Sequence, residues 1–62
     1  MGYREARELA ELRQALRDRL MSQDPEGAVT PLARLRQVAE GDLELRAEYE
    51  RWSFRFEMLA AA

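Results

Sequence analysis

The sequence predicts an all-α fold: an antiparallel helical hairpin with a short helix 1 and a long helix 2, expected to dimerise into a four-helix bundle. Three observations carry that expectation. Two stretches repeat their apolar residues at helical spacing, a Pro/Gly-rich break separates them, and the second stretch holds a heptad register. That register is Leu35, Val38, Asp42, Leu45, Tyr49, Trp52, Phe56 and Leu59, with only Asp42 polar.

The first segment spans about residues 3–22. Leu9, Leu12, Leu16 and Leu20 share one face, widened by Ala6 and Ala10. Arg4, Arg7, Glu8, Glu11, Gln14 and Asp18 occupy the other, which is the pattern of an amphipathic helix. Arg13 is the misfit on the apolar side.

A turn is expected over 23–30. Asp24-Pro25-Glu26-Gly27 has the residues of a type I turn, with Asp first, Pro second and Gly fourth. Thr30-Pro31 then reads as an N-cap with Pro at the first helical position.

The second helix is expected over about 31–59, roughly 43 Å at 1.5 Å per residue. Its weak point is Gly41-Asp42. Gly41 could end one helix, with Asp42 capping another. Because the heptad phase passes through unbroken, a continuous or slightly bent helix is expected instead, with a bend at 41–42. The hairpin register sets Leu9 beside Leu45 and Arg13 within one turn of Asp42. Arg13 and Asp42 are therefore expected to pair and fix register, a better-attested use of such pairs than net stability.

The whole chain, 1–62, reads as one helical-hairpin domain. At this size a chain buries only about 60% of its unfolded surface, so small domains lean on disulfides, metals or partners. The 62 residues include no Cys and no His, which removes disulfides and the commonest metal ligand and leaves oligomerisation. In the hairpin register helix 1 is exhausted near Tyr49. The expected oligomer or partner interface is thus Tyr49, Trp52, Phe54, Phe56, Met58 and Leu59. A second apolar strip, Leu32, Ala39, Leu43, Ala47, Phe54 and Met58, cannot be covered by the same short helix. A homo-oligomer, a dimer first, is the partner expected; a different protein docking on the Trp52 region is the other candidate.

Candidate chemistry is sparse. Ser22, Ser53 and Thr30 have no His, Lys or Cys to act as base, so no catalytic residue is expected and the chain is read as no enzyme. Glu40, Glu44 and Glu48 lie at i, i+4 and i+8 but lack the His partners of a di-iron bundle. They read as a solvated acidic face, and neither metal nor cofactor is expected.

Ten basic and twelve acidic residues leave a net charge of −2, with every basic residue Arg. That Arg, Ala, Leu and Glu usage points to a G+C-rich genome, bacterial or phage. Arg13, Arg17, Arg19, Arg34 and Arg36 gather towards the turn end and could form a modest nucleic-acid surface. Asp18, Asp24 and Glu26 dilute it, and a recognition helix starting Asp42-Leu43-Glu44 has the wrong sign for phosphate. No apolar run approaches a membrane span of about 20 residues. The first residues lack a signal-peptide pattern, so a cytoplasmic location is expected. The function expected is a protein–protein interaction module: a small oligomeric regulator, adaptor or inhibitor. The alternatives are a structural subunit whose purpose is its own assembly, or a nucleic-acid-binding dimer using the turn-end arginines.

Overall fold

In a computed structural model of the chain, which describes residues 2–62, those residues form three helices where two were expected. They are α1 (Tyr3–Met21), α2 (Pro25–Val38) and α3 (Leu43–Ala61). The Gly2 N–H, at the start of α1, donates to the Glu5 carboxylate at 3.2 Å. Leu9 and Leu16 are buried on its inner face, and Leu12 and Leu20 pack beside them. Ala6 and Ala10 stay exposed, so the apolar face is narrower than the sequence pattern.

The first correction concerns residues 23–30. Helix α1 closes in a Schellman-type end: the Asp24 N–H donates to Arg19 O at 2.8 Å and the Gln23 N–H to Leu20 O at 3.1 Å. Gln23 takes the left-handed position at φ 58°. The chain re-enters a helix at once, with Asp24 as N-cap and Pro25 at the first helical position. An Asp-Pro pair suits a type I turn and a helix start equally, because both ask for the same φ at proline.

Gly27 is the third residue of α2, and its N–H donates to the Asp24 carboxylate at 3.0 Å. A Cβ at Gly27 would run into that carboxylate and press on the Arg19 side chain. Thr30-Pro31, expected to start a helix, lies inside α2. Pro31 has no N–H to donate back to Gly27. The helix survives that loss because Ala28, Leu32 and Leu35 are buried on its inner face.

The second correction concerns Gly41-Asp42, where the long helix breaks. Gly41 adopts φ 79°, a left-handed conformation that glycine enters without penalty. Asp42 turns back to extended backbone and caps α3, its carboxylate accepting from the Leu45 N–H at 3.1 Å. The heptad phase carried across this point is therefore not evidence of one helix.

The path is down and back twice. Glu8 of α1 pairs with Arg34 of α2, with hydrogen bonds of 2.9 and 3.0 Å. The groove between α2 and α3 brings Val29 and Leu32 towards Phe56, and Arg36 and Glu40 towards Tyr49. Each successive pair of helices is thus antiparallel, and α3 runs in the same direction as α1. This replaces the two-helix hairpin, in which the second helix opposed the first throughout. With three helices in the chain, the two-helix unit from which a four-helix bundle was expected to assemble is not formed.

The core is small: Leu9, Leu16, Ala28, Leu32, Leu35, Ala39 and Leu45, with Leu16 and Leu35 fully enclosed. Among the described residues nothing polar is buried with them. Helix α3 leans mainly on α2 and touches α1 lightly.

Candidate interaction surface

Helix α3 carries apolar residues on two opposite sides. At 100° per residue, Leu45, Tyr49, Trp52 and Phe56 fall on one side, and Leu43, Ala47, Phe54 and Met58 on the other. The first set faces α1 and α2: Leu45 is buried, while Tyr49, Trp52 and Phe56 pack against the core half-covered. The second set points away. Leu43 is 87% exposed, Phe54 64% and Met58 60%, and Ala47 is exposed between them.

The six residues expected to form one interface are therefore divided. Tyr49, Trp52, Phe56 and Leu59 are partly taken up by the chain's own packing, and Phe54 and Met58 remain on the surface. The second strip read from the sequence is divided as well. Leu32 and Ala39 lie in the core, whereas Leu43, Ala47, Phe54 and Met58 stay in solvent. The break at Gly41 separates them, since residues before it belong to a helix with its own orientation. Leu43, the most exposed large apolar side chain among the described residues, was in that strip but not among the expected interface six.

A polar cluster stiffens the inner side of α3. Arg13 of α1 makes a two-pronged pair with Glu48, Nε to Oε2 at 2.7 Å and Nη2 to Oε1 at 2.8 Å. The indole Nε1 of Trp52 donates to the same carboxylate at 3.2 Å. Arg55 lies over the Trp52 ring, 5.2 Å from its centroid, in cation–π geometry. The Arg13 hydrogen bonds hold the Glu48 carboxyl below its usual range, against a smaller upward push from burial. The same bonds raise Arg13 further above its ordinary value.

Arg13 thus has Glu48 as its partner instead of Asp42, whose carboxylate is occupied as the α3 cap. The reversal at Gly41 explains the exchange: α3 returns alongside α1, and the residue level with Arg13 is then Glu48. Of the acidic face Glu40, Glu44 and Glu48, only Glu48 is engaged in an ion pair among the described residues. No signal in the periodicity singles it out.

The arginines proposed as a nucleic-acid surface are largely committed elsewhere. Arg13 pairs with Glu48, Arg19 with Asp24 at 3.3 Å and Arg34 with Glu8, which leaves Arg17 and Arg36 without an ion pair among the described residues. Among the same residues no group of three or more His, Cys, Asp or Glu could hold a metal ion. No helix among them is long and apolar enough to cross a membrane. No family model matches the chain, and neither a curated protein nor a solved structure shows significant similarity to it.

Proposed function

We propose that this chain is a non-enzymatic protein–protein interaction module, a small regulator, adaptor or inhibitor that works in the cytoplasm through the outer face of α3. One observation carries the reading: Leu43 with Ala47, and Phe54 with Met58, form two exposed apolar pairs aligned on one side of a helix whose opposite side already packs the core, with the charged Glu50 and Arg51 between the pairs. Single exposed apolar residues are ordinary, whereas an aligned set rimmed by charge marks an association surface. The rim here is Glu44, Arg46, Glu50, Arg51, Arg55 and Glu57, all exposed.

The inner cluster supports the same reading. The two-pronged pair from Arg13 of α1 to Glu48 restrains the rotation of α3 about its axis, so the strip is presented in a fixed direction. A surface ordered in advance loses less entropy on binding.

Phe54→Asp combined with Met58→Asp tests the proposal. Both positions are exposed, so the helical circular dichroism and the melting transition should stay close to wild type. Surface hydrophobicity, read by binding of an anilinonaphthalene dye, and any self- or partner association should fall sharply. Unchanged association with intact folding would remove the strip from the function.

A further inference from the structure

We draw no further inference here: the strongest candidate, the exposed apolar face of α3 presented by Leu43, Ala47, Phe54 and Met58, belongs to the surface already described, and nothing in the structure shows what covers it.

Discussion

At the scale of single residues, Glu48 stands out by the company its carboxylate keeps. It accepts both prongs of Arg13 and the Trp52 indole, and its side chain is only 17% exposed. Arg13 is 43% exposed, so solvent screens part of the attraction. Removing Glu48 should nevertheless cost about 1–3 kcal/mol, because an indole N–H and a guanidinium lose their acceptor together. A double-mutant cycle of Arg13→Ala with Glu48→Ala in urea should show coupling of roughly 0.5–1 kcal/mol or more. The cycle of Arg13→Ala with Asp42→Ala should be additive, since Asp42 serves the α3 cap instead.

The lowered Glu48 carboxyl also sets a pH dependence with a definite sign. A carboxylate depressed by folding contributes its full stability above its unfolded value, about 4.3, and loses it as pH falls through the lower folded value. The urea midpoint should therefore drop as the pH is taken from about 6 to about 3. Glu48→Gln should lower the midpoint at neutral pH and make the drop shallower. An equally steep drop in that variant would assign the acid sensitivity to other carboxylates.

Among the elements, the two links decide how the helices are arranged. Both need a left-handed residue, but only one uses glycine. Gln23 stands at φ 58° and Gly41 at φ 79°. A side chain in that region costs roughly 1–2 kcal/mol, so Gly41→Ala should destabilise the fold by about that much although nothing obstructs the new methyl group. Gln23→Gly should act in the opposite direction, raising stability by up to about 1 kcal/mol. Thermal melts of the two variants beside wild type check both signs. If Gly41→Ala melted higher than wild type, the left-handed link would be wrong and a continuous helix would regain its case.

Across the whole molecule, the fold depends on few contacts. A domain of this length has a stability of about 3–9 kcal/mol at the usual 0.05–0.15 kcal/mol per residue. Leu35 is fully buried in a small core, so Leu35→Ala should cost about 2–5 kcal/mol. That is enough to leave a large unfolded fraction at room temperature, visible as reduced helical circular dichroism and a broad, early melt.

Local chemistry carried the sequence reading a long way. Apolar period established the all-α class, the extent of the first helix and the two apolar sides of the last one, since these depend only on which residues repeat every three or four positions. The Gly41-Asp42 signal was legible too, as a stop followed by a cap, but the heptad phase outweighed it. Phase cannot tell one helix from two that happen to keep count, because it records position along the chain and not direction in space. The same holds for Asp24-Pro25, whose chemistry serves a turn and a helix start alike. Tertiary structure decided what followed from those two reversals: that α3 runs alongside α1, that Arg13 meets Glu48, and that Leu32 and Ala39 go to the core while Leu43, Phe54 and Met58 stay outside. Those outcomes depend on contacts between residues far apart in sequence, where a single left-handed residue redirects every side chain beyond it.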